Sequence, residues 1–250
     1  MGPMNAPRAV PKISLACLGR GNAFAAANAG GMERMNRRKI TLITENVSQT
    51  LLTSFTIVRH GETEWNQLGL HQGVQNSPLT EKGLAQAYSV ARALKKFTFQ
   101  KLYSSDLGRA VETAQIIGSV LNLGVIFDKR LQERNLGCLG GLTIDEFSEQ
   151  YPEDCEKYLS GDPDYILPGG ESIRQSYERS IACFEELAFR HQNENILIIT
   201  HEFILDYLLR YTLEIPLQHR RRFVLKNCSI NRFVKTEHDW KLETWGEICS

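Results

Sequence analysis

The segment Asn195–Thr200 reads Asn-Ile-Leu-Ile-Ile-Thr and leads directly into His201. Its apolar run, Ile196–Ile199, is far short of the roughly 18–20 residues that span a bilayer. It suits a strand buried on both faces, and such a strand needs helices packed on either side, as in a parallel sheet. A second β-rich run, Ser54–Val58, leads into Arg59 and His60. Between and after these runs the chain alternates strand and helix. Thr80 stands as an N-cap before Leu84, Ala87, Tyr88, Ala91 and Leu94 at helical spacing. Leu102–Ser104 and Val125–Phe127 read as short strands, and Ser105 or Asp106 is expected to cap a helix through Ala110, Ala114, Ile117 and Leu121. Two short helices are expected over Thr143–Gln150 and Asp154–Leu159, and a long one opening at Ser172. A further helix follows over Ile204–Tyr211, with late strands at Ile230–Val234 and Leu242–Trp245. This alternation predicts an α/β class, a three-layer α/β/α domain around a mostly parallel central sheet.

At 250 residues the chain has room for one such domain and a tail. Residues 54–250 carry the periodic text. Residues 1–53 do not: no Asp or Glu occurs before Glu33, and Gly19–Gly31 is rich in Ala, Gly and Asn, so a disordered N-terminal extension is expected. It reads as an upstream extension with Met32 or Met35 as working start, and otherwise as an organellar transit peptide, although Ser is scarce. The first reading goes with a cytoplasmic location. Charge is balanced, with 29 Lys and Arg against 29 Asp and Glu, which disfavours a nucleic-acid or membrane-surface partner. The six cysteines form no C-x-x-C pair or metal-spaced cluster, and they suggest idle thiols in a reducing compartment.

In an open parallel sheet, ligands bind at the carboxyl ends of strands. His60 and His201 each follow such an end. Either alone would pass for an ordinary histidine; two in matching places suggest a site. Arg59 adjoins His60, and Arg109 lies just inside the helix after Leu102–Ser104. Arginine presents a planar fork that fits phosphate oxygens, so these four side chains suggest a pocket for a dianion. Arg109 reads equally well as a solvated helix residue. Glu133, beyond Val125–Phe127, is a general-acid candidate or else a loop carboxylate paired with Arg130 or Arg134. Gly61 and Gly73 offer backbone N–H groups, and Asn66 and Gln72 neutral donors.

These residues fall within a recognisable pattern. Arg59-His60-Gly61-Glu62-Thr63, then Trp65-Asn66, resembles the R-H-G-E-T-x-W-N signature of the histidine phosphatase superfamily. Gln72-Gly73, Ser77-Pro78-Leu79-Thr80, Tyr103-Ser104-Ser105-Asp106-Leu107 with Arg109-Ala110, Leu131 with Glu133, Pro168-Gly169-Gly170-Glu171-Ser172, Thr200-His201 and Asn227-Cys228-Ser229-Ile230 follow in the family's order. The resemblance runs from about Phe55 to the C-terminus. It implies that His60 takes the phosphoryl group, that His201, Arg59 and Arg109 bind its oxygens with Asn66, Gln72 and Gly73, and that Glu133 is general acid and then base. It also implies a small helical cap between Thr143 and Pro168. No cofactor and no metal is implied, because cationic side chains can stabilise the loose transition state of phosphoryl transfer. The nitrogen of His60 opposite the attacking one is expected to rest on a backbone carbonyl.

Two positions depart from the pattern. Glu202 stands where Gly usually follows the second histidine, placing a carboxylate beside an anion pocket as a substrate contact or a group turned away. Asn76 replaces a common Asp. The favoured function is hydrolysis of a small phosphomonoester through a phosphohistidine. The alternatives are a 2,3-bisphosphoglycerate-dependent phosphoglycerate mutase, disfavoured by the short segment between Glu133 and Gly169, and an inactive binding module of the same fold. A homodimer is compatible with the reading. Asp162, Asp164 and Glu171 against Lys157 make the cap segment acidic, which argues against a very highly charged substrate.

Overall fold

The structure, a computed structural model, describes residues 52–249; the expectations for residues 1–51 lie outside the described residues. Six strands form one sheet: β1 (Thr53–Arg59), β2 (Lys101–Ser104), β3 (Val125–Phe127), β4 (Asn195–Thr200), β5 (Ile230–Lys235) and β6 (Trp240–Glu247), in the order β3-β2-β4-β1-β5-β6. β1, β2, β3 and β4 are mutually parallel, and β5 and β6 add an antiparallel edge. The expected mostly parallel α/β architecture is therefore present.

The alternation of side chains along β4 divides the core. Ile196 and Ile198 face the same layer as Phe55 and Ile57, under α6 (Ile173–Arg190) and α7 (Glu202–Thr212). Leu197 and Ile199 face the other layer with Val58, under α2 (Glu81–Leu94) and α3 (Gly108–Leu121). All four β4 aliphatics are fully buried, each contributing roughly 1.5–3 kcal/mol relative to an exposed position. Helices thus cover both faces, as an all-apolar strand demands. A third, smaller cluster of Leu136, Leu139, Phe147, Cys155 and Leu167 holds the helical insertion of α4 (Ile144–Gln150) and α5 (Pro152–Ser160).

Local signals explain most helix starts. Thr80, Thr143 and Ser172 cap α2, α4 and α6 by accepting the amides of Gly83, Glu146 and Gln175. Pro152 opens α5, where its missing N–H costs nothing. The α3 start differs from expectation. Leu107 occupies the cap position without a side-chain bond, and neither Ser105 nor Asp106 caps the helix. The amide of Arg109 is taken instead by Asn76 Oδ1 at 2.8 Å, while Ser105 Oγ accepts from Leu107 N and faces His201. The short helix α1 (Glu64–Leu68) was not foreseen; Thr63 and Asn66 form its capping box. Among the described residues no helix is long and apolar enough to cross a membrane.

Candidate active site

β1 and β4 pair in parallel with Arg59 opposite Thr200, so the two histidines leave the sheet side by side. The amide of His60 donates to the Thr200 carbonyl at 3.0 Å, and the imidazole centroids lie 5.2 Å apart. Both rings are buried, and burial beside Arg109 holds their pKa values well below the ordinary histidine range. Both are neutral near pH 7, so each carries one ring N–H.

For His60, geometry selects the tautomer. Nδ1 lies 2.8 Å from the Gly61 carbonyl and must donate to it; Nε2 receives the Arg109 Nε–H at 3.2 Å and must carry a lone pair. His60 thus presents an unprotonated nitrogen to the pocket, and the expected backbone carbonyl is present. His201 Nε2 lies 2.8 Å from Ser105 Oγ, while its Nδ1 is buried with no hydrogen-bond partner among the described residues. The Ser105 hydroxyl, which accepts the Leu107 amide, can donate its hydrogen to His201 Nε2, and in that tautomer Nδ1–H is an unused donor.

Arg109 is buried, its guanidinium spread over the Gly73 carbonyl at 2.8 Å, the Gln75 carbonyl at 2.6 Å and His60. Burial outweighs the carboxylate of Glu133 and pulls its pKa down to about 10, so it remains a cation. It is buried in the cavity wall and is not a solvated helix residue. Arg59 donates from Nη1 to the Leu225 carbonyl and from Nη2 to Glu202 at 2.8 Å, and its Nε is buried without a partner among the described residues. Glu133 is buried, accepting from Arg134 N at 3.0 Å and Phe203 N at 3.4 Å. Burial raises its pKa, against the opposing pull of Arg109. Arg130 pairs with Asp128 and Glu186, and no ion pair ties Glu133 to Arg130 or Arg134 among the described residues.

A cavity of about 130 Å³ opens over these groups, lined among others by Arg59, His60, Arg109 and Glu133, with Asn66, Gln72, Gly73 and Glu202 around them. His201 lies beneath, fully buried. Asn66 Oδ1 accepts from Thr63 N and Asn227 Nδ2, which fixes its amide. Gln72 donates to Thr63 Oγ1 at 2.8 Å, so its amide is held by the protein. Gly73 adopts φ +53°, and a Cβ there would stand 2.9 Å from Leu136 N; the carbonyl that receives Arg109 thus depends on glycine. Glu202 bridges Arg59 and Arg221. Arg221, His71 and Phe203 also line the cavity and were not singled out from sequence; the one available signal was the run Arg220-Arg221-Arg222. Asp164 pairs with Arg174 and Glu171 with Arg179, and none of Asp162, Asp164 and Glu171 lines the pocket. Among the described residues no three His, Cys, Asp or Glu side chains are grouped to hold a metal ion, and Cys138, Cys155, Cys183, Cys228 and Cys249 are unpaired.

An Escherichia coli protein named "Probable phosphoglycerate mutase GpmB" is 37% identical over 197 residues, covering 77% of this chain and 92% of the relative. Among solved structures, Bacillus stearothermophilus YhfR matches with TM-score 0.74 and 29% identity over 78% of this chain and 98% of that one. A phosphoserine phosphatase from Entamoeba histolytica, solved with 3-phosphoglyceric acid, matches with TM-score 0.70 and 29% identity over 78% and 97%. A mycobacterial glucosyl-3-phosphoglycerate phosphatase matches with TM-score 0.69 and 26% identity over 78% and 99%. The model of the histidine phosphatase superfamily, branch 1, matches residues 55–248, and the chain belongs to that family.

Proposed function

We propose that this protein is a phosphatase that hydrolyses a small phosphomonoester through a phosphohistidine on His60. One observation carries the reading: His60 is held on the Gly61 carbonyl with an unprotonated Nε2 at the cavity, where it accepts the Nε–H of a buried guanidinium. The Arg109 Nε–H passes from Nε2 to an oxygen of the arriving phosphoryl group, and the freed lone pair of Nε2 attacks phosphorus while the P–O bond to the leaving group breaks. Arg59, Arg109 and the Nδ1–H of His201 bind the phosphoryl oxygens, where charge accumulates in the transition state. Glu133, protonated because burial and the substrate's dianion raise its pKa, gives its proton to the leaving oxygen. It then takes a proton from water as water attacks phosphorus and the N–P bond breaks, which returns neutral His60 and inorganic phosphate. No step requires a metal or cofactor.

The short segment between Glu133 and Gly169 favours hydrolysis over phosphoryl return to a second site on the same carbon skeleton. The relative named for mutase activity keeps a second reading in view: transfer between the hydroxyls of a phosphoglycerate. Rapid quench with labelled ester should trap acid-labile, alkali-stable phosphate on the wild-type protein and none on His60→Ala. Label on His60→Ala would sink the assignment. Turnover of 3-phosphoglycerate to 2-phosphoglycerate, faster than phosphate release, would replace phosphatase by mutase.

A further inference from the structure

The segment between α7 and β5 is irregular and carries His219, Arg220, Arg221, Arg222 and Lys226 without an acid between them. The connection holds four Lys and Arg side chains and a histidine against one acid, Glu214, a local basic excess in a chain whose charges balance. The structure places four of them together. His219, Arg220, Arg221 and Arg222, with Arg210, line a cleft of about 740 Å³, and Arg221 also lines the smaller cavity over His60. The two hollows therefore share a wall residue, and the cleft is where a leaving group too large for about 130 Å³ would extend.

Of the four arginines that line the cleft, Arg210 and Arg221 are paired with acids, and Arg220 and Arg222 have no acid partner among the described residues. Asp206 is buried and tied to Arg210 at 3.0 Å, and Glu202 is engaged with Arg59 and Arg221. Arg221 also lies over the rings of Phe203 and Phe223, which fixes its guanidinium between the hollows. Arg220 donates from Nη2 to the Leu159 carbonyl, a neutral acceptor that anchors the loop to the end of α5 and leaves the charge uncompensated. Arg222 has no ion pair or hydrogen bond among the described residues. Adjacent guanidiniums repel one another, and forked donors of this kind suit a phosphate or carboxylate.

We infer that the cleft is a second anion subsite continuous with the catalytic pocket, so that the preferred ligand is a phosphomonoester whose leaving group carries its own anionic group. The substrate-class inference rests on the phosphatase reading, whereas the subsite does not. The acidic cap residues, engaged with Arg174 and Arg179, do not oppose such a ligand.

Non-hydrolysable probes test this without turnover. Linear alkane-1,n-bisphosphonates are titrated calorimetrically into the full chain beside ω-hydroxyalkylphosphonates of equal length. The expected result is one equivalent bound, with the bisphosphonate at least about tenfold tighter at a particular spacer length, and that advantage falling as salt rises. The advantage should shrink to under about threefold in Arg220→Gln/Arg222→Gln, and partly in Arg222→Gln alone. Both side chains are exposed, so folding should be retained, and thermal unfolding of each variant checks it. Equal affinities at every length, an advantage unchanged in the double variant, or two independent equivalents per chain would overturn the subsite. A bisphosphonate advantage without any labelling of His60 by phosphate esters would leave the subsite standing and remove the phosphatase reading.

Discussion

Replacing Glu133 by Gln separates the chemical role of this side chain from its structural one. The carboxylate is buried and accepts two backbone amides, from Arg134 and Phe203. A glutamine can keep one of these bonds and turns its NH₂ toward the other donor. The unmade bond costs about 1–3 kcal/mol of stability, offset in part because a neutral amide is buried more cheaply than a carboxylate. Loss of a general acid costs about 10²–10⁴ in rate, or roughly 3–5 kcal/mol of barrier. The two effects differ in kind as well as size. An alkyl phosphate needs the proton when its alkoxide leaves, so phosphorylation of His60 should slow by the full factor. p-Nitrophenyl phosphate expels a stable phenolate and should be phosphorylated nearly as fast by the variant. The phosphoenzyme should then accumulate, since water has lost its base. Single-turnover rapid quench with both esters measures these rates and the trapped phosphohistidine. Because burial raises the Glu133 pKa, the wild-type rate with the alkyl ester should fall as pH rises through that value, and the variant should lack this limb. An equal loss on both esters with no phosphoenzyme would refute the reasoning and make Glu133 a structural residue.

Other consequences follow from the same geometry. His60 and His201 are held below the ordinary histidine pKa in the folded protein, so the unfolded chain binds protons first; their stability contribution is present above about pH 6.5 and is lost as pH falls toward their folded values. Urea unfolding between pH 7 and 5 should show a slope of up to about 1.4 kcal/mol per pH unit for each histidine, and His201→Asn should remove part of it. Gly83→Ala places a Cβ 2.0 Å from the Glu62 carbonyl oxygen and should lower stability by about 1–3 kcal/mol or more, whereas Gly124→Ala meets nothing within 4 Å and should be near neutral in thermal melts. Turnover should persist in EDTA, because guanidinium and imidazole groups provide the positive charge and donors; loss restored by a divalent ion would contradict this. Glu202→Gln removes a carboxylate from Arg59 and Arg221, so inorganic phosphate should inhibit several-fold more tightly, in line with about 1 kcal/mol for a partly buried pair, and a weaker inhibition would show that Glu202 orients Arg59 more than it competes for it.

What the sequence displayed was whatever has a local cause. The apolar run of β4 required two covering layers, and the matched strand ends put His60 and His201 together before any contact was known. Helix caps were visible where the capping side chain is local, as with Thr80, Thr143 and Ser172. The start of α3 was not, because the Ser105 hydroxyl faces His201 and the helix end is closed by Asn76 from another loop. α1, with five residues, is shorter than any periodicity test can detect. Arg221 was hidden for a related reason: it lies in an irregular connection where no period marks an inward face. Its partner Glu202 stood out as a departure from the family pattern, but only the fold brings it between two arginines that are far apart in the chain.

The charge balance of the pocket links binding to acid catalysis in the proposed reaction. Arg109 is buried with its donors on the carbonyls of Gly73 and Gln75 and on His60, and Arg59 has one edge on the Leu225 carbonyl. Neutral acceptors satisfy hydrogen bonds and fix orientation, so these guanidiniums need little reorganisation when an anion arrives. They do not supply negative charge. Before substrate binds, among the described residues the carboxylates of Glu133 and Glu202 do so, and burial raises the pKa of Glu133 while Arg109 opposes the shift. An arriving phosphoryl dianion takes over as counter-ion to Arg59 and Arg109. The stabilisation that kept Glu133 ionised is then shared with the substrate, and its proton affinity rises. Binding of the anion thus protonates the acid that the next step requires, and departure of phosphate restores the carboxylate. Glu202 is surface-accessible beside Arg221, so it can swing from Arg59 without leaving a buried charge unpaired, and the site can exchange one counter-ion for another.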